Sequence, residues 1–244
     1  MNRILRTLVP LTAVVALVVG GVAAPALAAP EPTLAVHKAE VTRRIDLRLA
    51  ALKKFDAALN AAKHITDGHK STLHTLITEE TSGLTALKTK VAGETTREAL
   101  RADATSMIND YRVFILVGPK VRLTAVADAE AAAIARLKEA HDKLADLVGK
   151  AKAAGKDTAA AEQDLADMQA AIDKASAGID GDVATLLAIE PGPDGTAIRA
   201  KVGECRASLK AARADLKTAV AEAKSVRAFL KSLKPSPAAS PTGS

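Results

Sequence analysis

Apolar residues recur every seven positions in the C-terminal third of the chain. Two such series, offset from one another by four residues, occupy this segment: Ile198, Cys205, Ala212, Ala219, Val226 and Leu233, and Val202, Leu209, Leu216, Ala223 and Leu230. An average period of 3.5 residues is typical of helices that supercoil around one another. The pattern predicts one helix of about 38 residues, and before it a helix from Thr158 that breaks near Gly178 and Gly181.

The N-terminal part shows the same alternation of three- and four-residue spacings between apolar positions. It predicts a first helix from Thr33 to Thr66, which stops at Asp67-Gly68, and a second helix from His69 to Ala92. Thr95-x-x-Glu98 matches a capping box, in which two side chains satisfy free backbone amides at a helix start. We therefore expect a third helix to begin there.

The segment from Tyr111 to Val117 is ambiguous by local propensity. Its β-branched and aromatic residues favour a strand, but a lone strand would leave its backbone groups unpaired. A buried helix is the better prediction, and it would continue the third helix to about Lys152. We expect Gly118-Pro119 to kink or break that helix, because proline lacks an amide hydrogen and collides with the preceding turn.

These elements predict an all-α protein of long antiparallel helices with heptad patterning. Two hairpins, residues 33–92 and 158–234, flank the long kinked helix, which is long enough to serve both. We expect two three-helix bundles that share this helix, a first over residues 33–117 and a second over residues 119–234. The alternative is a single bundle folded over at a kink near a right angle.

Composition agrees with helix and excludes several classes of protein. Of the 244 residues 54 are Ala, 2% are aromatic and one is Cys. One Cys cannot form a disulfide within the chain. So few aromatic side chains do not suit a protein that stacks nucleic-acid bases, and we expect no nucleic-acid partner.

The first 28 residues have the pattern of a secretory signal peptide. Arg3 and Arg6 precede an uncharged apolar run, and Pro25-Ala-Leu-Ala28 offers small residues for cleavage after Ala28. The alternative is a retained N-terminal anchor. We expect the chain to be secreted or held in the cell envelope, with no transmembrane segment after cleavage. The Pro- and Ser-rich residues 235–244 predict a disordered tail.

The formal net charge is +6, and basic and acidic residues alternate along most of the chain. Such interleaving is typical of solvated helix faces and indicates no steering patch. The charge pattern therefore leaves the partner unidentified, whether a protein or an envelope component. It is also compatible with a homo-oligomer.

His64, His69 and His74 surround the turn between the first two helices, and imidazole is the commonest side-chain ligand for transition metals. However, the interval of five between His69 and His74 places them about 140° apart on a helix. A metal site would have to form across the hairpin, from His64 with His69 or His74. The other interpretation is three ordinary exposed histidines.

Four polar or reactive residues interrupt the apolar series. Cys205 occupies a position where a thiol packs as a small apolar side chain; the alternatives are an intermolecular disulfide and a redox role. Arg48, Glu80 and Asp182 either set helix register and reach water, or form a polar pocket inside a bundle. The sequence contains no G-x-S-x-G, H-E-x-x-H or phosphate-loop motif, so we expect neither enzymatic activity nor a cofactor.

Tyr111-Arg-Val-Phe and Pro119-Lys120, with the export signal and the Ala-rich heptad helices, resemble uncharacterised secreted helical proteins of high-GC Gram-positive bacteria. The resemblance implies an exported coiled-coil or helical-bundle protein and assigns no site. The main hypothesis is a non-enzymatic spacer or interaction module. The alternative is a protein that binds a metal or small ligand through the His64, His69 and His74 hairpin, or in a cavity near Tyr111 and Pro119.

Overall fold

The computed structural model describes residues 33–233, and in this range it contains helices and no strand. The elements, in chain order, are α1 (Leu34–Ala61), α2 (Asp67–Gly93), α3 (Arg97–Asn109), a π-helical turn (Val113–Val117), α4 (Gly118–Ala153), α5 (Ala159–Ile179), α6 (Asp182–Leu187) and α7 (Gly195–Ser232). The predicted all-α class is confirmed. The predicted signal peptide, residues 1–28, and the predicted tail, residues 235–244, lie outside the described residues.

The first helix ends earlier than its apolar pattern predicts, at Ala61 and not at Thr66. The Thr66 side chain accepts a hydrogen bond from the backbone N–H of His69, and its own N–H donates to the Asp128 carboxylate at 2.8 Å. These two contacts hold Thr66 in an extended conformation as the cap of α2. Asp67 therefore opens the second helix, whereas the sequence pattern places Asp67-Gly68 in the break between the two helices.

The predicted capping box at Thr95 is wrong by one residue. Thr96 has the extended conformation of a cap, and its side chain accepts a hydrogen bond from the backbone N–H of Ala99 at 3.2 Å. Because the two threonines are adjacent, the sequence pattern alone does not decide which of them takes this conformation.

The third predicted helix is not continuous. α3 ends at Asn109, residues 110–112 are not helical, and the π-helical turn then leads directly into α4. Gly118 and Pro119 are the first residues of α4, so a helix boundary lies at the predicted pair, and the break at residues 110–112 is a second one that the sequence pattern does not predict. The wider hydrogen bonding of the π-helical turn, just before Pro119, accommodates a residue that lacks an amide hydrogen.

Two side chains hold the chain at this break, and both contact distant parts of the sequence. The Tyr111 ring lies against Gly83 of α2, where a Cβ atom would come within 2.5 Å of the tyrosine oxygen. Arg112 donates hydrogen bonds to the backbone carbonyls of Gly192 and Pro193, each at 2.8 Å. The chain therefore leaves the helical path before Val113 because long-range contacts favour another one.

The C-terminal hairpin follows its predicted course. α5 ends at Ile179 and α6 begins at Asp182, as the two glycines predict. Gly181 has a φ of 73°, a left-handed conformation that glycine adopts without strain. α7 has the expected length of 38 residues.

Buried apolar side chains form three clusters. The first core joins α1, α2, α3 and the start of α4: Val41, Ile45, Leu52, Leu59, Leu73, Ile77, Leu84, Leu87, Val91, Leu100, Met107, Val113, Val117 and Val121. The second core joins the later part of α4 to α5 and α7: Ile134, Leu144, Val148, Ala161, Leu165, Met168, Ala171, Ile172, Ala175, Ala212, Leu216, Ala219, Ala223 and Val226. A smaller third cluster surrounds Leu186 of α6. The described residues belong to one compact unit, and the division into bundles at 33–117 and 119–234 stays a prediction.

Candidate functional site

The three histidines of the predicted metal site contact different partners. His69 Nδ1 lies 2.9 Å from a carboxylate oxygen of Asp128, and His74 Nδ1 lies 2.8 Å from one of Asp56. His64 is exposed in the turn between α1 and α2. Within residues 33–233, no three His, Cys, Asp or Glu side chains are placed to hold a metal ion. Metal titration of the protein remains the test of this hypothesis.

Cys205 is buried in α7, as its place in the apolar series predicts, with 4% of its surface exposed. Its Sγ lies 3.9 Å from the backbone carbonyl oxygen of Asp182. Burial raises the pKa of the Cys205 thiol, and the negative charge of Asp182 adds to the effect. A raised pKa favours the thiol over the reactive thiolate. The position therefore suits packing.

Glu80 interrupts the apolar series of α2, yet only 8% of its surface is exposed, and its Oε2 atom has no hydrogen-bond partner. Burial raises the pKa of Glu80 to about 7, against the opposing charge of Lys120 and with the support of Glu79. Lys120, at the start of α4, donates a hydrogen bond to the carbonyl of Leu187 at 2.8 Å, and burial lowers its pKa. A titratable carboxyl and a titratable amine are thus enclosed where α2, α4 and α6 meet.

Electric charge is distributed unevenly between α7 and the rest of the chain. This helix has nine basic and three acidic residues, whereas the whole chain has 34 basic and 28 acidic residues. The other residues therefore hold 25 of each kind and are neutral as a set. The net charge of +6 is equal to that of α7 alone.

Seven of these basic side chains form a row along the helix, the α7 stripe. They recur in sevens, as two interleaved series: Arg206, Arg213 and Arg227, and Lys210, Lys217, Lys224 and Lys231; Arg199 occupies the same heptad position as Arg206, one repeat before this row. All seven are exposed. At 3.6 residues a turn they lie within a sector of about 100°, and at 1.5 Å a residue the row extends about 38 Å. The stripe is therefore a straight, narrow and strongly positive surface.

Acidic residues of α7 lie away from this sector. Glu204, Asp215 and Glu222 stand about 160–180° around the helix axis from Arg206. Within the described part of the chain Arg213 alone among the stripe residues makes an ion pair, to Glu130 of α4 at 3.0 Å. The other six stripe residues have no ion pair there, so their charge is available to a partner.

Two shallow grooves border the stripe. A groove of about 410 Å³ runs between stripe residues over Leu216 and Val220, and Val220 is 40% exposed. A second groove, of about 600 Å³, lies between α4 and α7, and its charged lining consists of four basic residues and one acidic residue: Arg136, Lys143, Arg227, Lys231 and Glu139. No aromatic side chain lines either groove. Both surfaces thus combine a small apolar floor with excess positive charge.

The sequence alone predicts the stripe when charged residues are compared at intervals of seven. Taken residue by residue, the three acidic side chains of α7 are interspersed among its nine basic ones, and the expectation of no steering patch rests on such interleaving along the chain. Taken in sevens, eight of the nine basic residues fall into two adjacent helical positions, and the three acidic residues fall into others. The expectation of no charged face therefore does not hold for α7.

Within residues 33–233, no helix combines the length and the apolar character that crossing a membrane requires. Comparison with protein-family models, with curated proteins and with solved structures finds no match.

Proposed function

We propose that this protein is an exported, non-enzymatic helical-bundle module that binds an extended polyanion through the α7 stripe. The observation that carries the proposal is the concentration of the net charge on one face of one helix. The signal-peptide pattern of residues 1–28 supports export. The 38-residue length of α7 supports a role as a spacer or interaction module with a long contact face.

A linear partner suits the shape of the stripe. Its charges follow one line for about 38 Å, so a chain of regularly spaced phosphate or carboxylate groups pairs with one cation after another. Counterion release would favour such binding, as it does for basic proteins on nucleic acids.

The stripe offers little to other classes of partner. An amphipathic helix docks its apolar face in an apolar groove, and acyl chains of a bilayer also need apolar contact. Val220 is the large apolar residue that the outer face of α7 exposes. Single-stranded nucleic acids use aromatic side chains as stacking platforms, and the stripe consists of Arg and Lys. A non-aromatic linear polyanion is thus the partner that the residues favour.

Titration with long-chain polyphosphate tests the proposal, with inorganic phosphate as the monomer control. The triple variant Lys210→Glu, Lys217→Glu, Lys224→Glu reverses three exposed charges on the stripe. Its matched control, Lys53→Glu, Lys54→Glu, Lys174→Glu, makes the same change of net charge at exposed positions on other helices. We expect the stripe variant to weaken polyphosphate binding at least ~10-fold and to reduce its salt dependence by about three charges. The control should change binding much less.

Three outcomes would contradict the proposal. Equal losses in the two triple variants would assign binding to net charge and not to the stripe. Absence of polyphosphate binding at low salt would exclude a polyanion as the partner. Tighter binding to duplex DNA or to anionic lipid vesicles than to polyphosphate would reassign the partner to that class.

A further inference from the structure

A cleft of about 370 Å³ opens beside the break between α3 and the π-helical turn, within the size range of small-molecule sites. The sequence suggests a ligand cavity near Tyr111 and Pro119. Tyr111 does line this cleft, whereas Pro119 is buried. π-helical turns occur frequently at functional sites. Three arginines border the cleft, and no acidic residue does: Arg48, Arg112 and Arg199.

Neutral acceptors hold the Arg112 guanidinium in place. It donates to the carbonyl oxygens of Gly192 and Pro193 and, at 3.1 Å, to the side-chain oxygen of Asn109. None of these acceptors carries a charge, so they fix the orientation of the group without neutralising it. The guanidinium is therefore preorganised and still positive.

Arg48 reaches the same cleft from α1. Its Nη1 donates to the carbonyl of Arg44 at 3.1 Å, and its guanidinium lies 5.5 Å from the centre of the Phe114 ring. The Nε atom is buried without a hydrogen-bond partner. Burial lowers the pKa of Arg48, and the positive charges of Arg44 and Arg112 lower it further. An anion between these groups would satisfy the donor and relieve the repulsion.

The third arginine, Arg199 of α7, is exposed and makes no ion pair within residues 33–233. Asp110, which is close in sequence to the cleft, accepts a hydrogen bond from the Ser106 hydroxyl and is not among the lining residues. No carboxylate therefore lines the cleft beside the three arginines.

Apolar surface completes the cleft. Phe114 is 52% exposed and Ile108 is 38% exposed, and both line it. Large apolar side chains with this much exposure usually lie singly on a surface, whereas these two lie together beside three guanidinium groups. The combination suits a molecule with a negative end and an apolar body.

We propose that this cleft binds a small organic carboxylate that has an aromatic or aliphatic body. The carboxylate would lie between Arg48, Arg112 and Arg199, where planar guanidinium groups match its two oxygens. The body would pack on Phe114 and Ile108. The proposal does not require polyanion binding, because none of the seven stripe residues lines the cleft. Arg199 lies one seven-residue repeat before Arg206, on the same face of α7.

Calorimetric titration of the whole protein with 4-phenylbutyrate tests the proposal, with two matched probes. The amide 4-phenylbutyramide keeps the body and removes the charge, and acetate keeps the charge and removes the body. We expect both probes to bind at least ~5-fold more weakly than 4-phenylbutyrate. Arg199→Gln, at an exposed position, should weaken the binding of 4-phenylbutyrate at least ~5-fold, and so should Phe114→Ala.

Arg122→Gln is the control, since it removes an exposed arginine of α4 that belongs neither to the cleft nor to the α7 stripe; it should leave 4-phenylbutyrate binding unchanged. Arg48→Gln is a second variant for the cleft, and its thermal unfolding, compared with the parent, separates a lost contact from a lost fold. No binding of 4-phenylbutyrate at millimolar concentration would overturn the proposal. Equal affinity for the amide, or equal losses in Arg199→Gln and Arg122→Gln, would do the same.

Discussion

The two large cores of this protein have the same number of buried apolar residues but are built from different side chains. Each contains 14, and the first core includes no alanine, whereas six of the 14 in the second core are alanine. A buried Leu or Ile removes far more apolar surface from water than a buried Ala does. The first core therefore depends on side-chain bulk, and the second on close approach of its helices.

Close approach is visible between α5 and α7. A Cβ placed on Gly178 would lie 3.5 Å from the Cβ of Ala212, and the Ser208 hydroxyl donates a hydrogen bond to the Gly178 carbonyl. Small side chains let two backbones come near enough for such contacts. Stability in this region thus comes from many short contacts along long helices, and little of it comes from any single side chain.

The two cores also differ in how the charge of a buried glutamate is compensated. Glu130, beside the second core, has one oxygen paired with Arg213, and burial raises its pKa against the lowering effect of that arginine. Glu80, in the first core, has no ion pair within residues 33–233, and its pKa rises to about 7. The first core therefore encloses the carboxyl whose charge is less well compensated.

The largest expected effect is the removal of bulk from the first core. Leu84→Ala replaces a side chain with 0% exposure by a methyl group, and we expect the free energy of unfolding to fall by about 2–5 kcal/mol. Leu84→Met, which keeps the volume, should cost less than about 1.5 kcal/mol. Urea unfolding measures both. Similar small losses in both variants would show that bulk is not what stabilises this core.

The converse substitution should be the damaging one in the second core. Ala219→Leu adds volume at a position with 0% exposure. We expect the free energy of unfolding, measured in urea, to fall by about 2–3 kcal/mol because the facing helix cannot move away. Ala214→Leu, at an exposed position on the same helix, is the control and should be nearly neutral. A stabilising effect of Ala219→Leu would indicate a cavity there and not close packing.

The pH dependence of stability should also differ between the two cores. Because the pKa of Glu80 is about 7 in the folded protein and 4.5 in the reference state, the folded protein binds the extra proton between these values. The free energy of unfolding should therefore fall by about 3 kcal/mol as pH rises from about 4.5 to about 7, and level off above that.

Glu80→Gln should remove this contribution and raise the stability at pH 8, as urea unfolding across the pH range would show. Glu130→Gln is the comparison variant, and we expect it to change the slope less because Arg213 offsets the burial of Glu130. A larger change of slope in Glu130→Gln than in Glu80→Gln would reverse the assignment of the uncompensated carboxyl.

The seven-residue spacing predicted many of the buried side chains. Ile198, Val202, Cys205 and Leu209 are all buried, as their spacing requires, because residues three and four apart share one face of a helix. The same spacing, applied to charge, yields the α7 stripe. The cleft could be anticipated only as a location near Tyr111, since Arg48 and Arg199 are remote from it in the sequence.

Helix type, the length of α7 and its buried face were determined by the sequence alone, since they depend on spacings within a few turns. The position of the break before Val113 was decided by tertiary structure, since Gly192 and Pro193, which bind Arg112, lie 80 and 81 residues away. The enclosure of Glu80 was decided in the same way. Local periodicity specifies which face of a helix is apolar, but only the packing of other elements determines what that face meets.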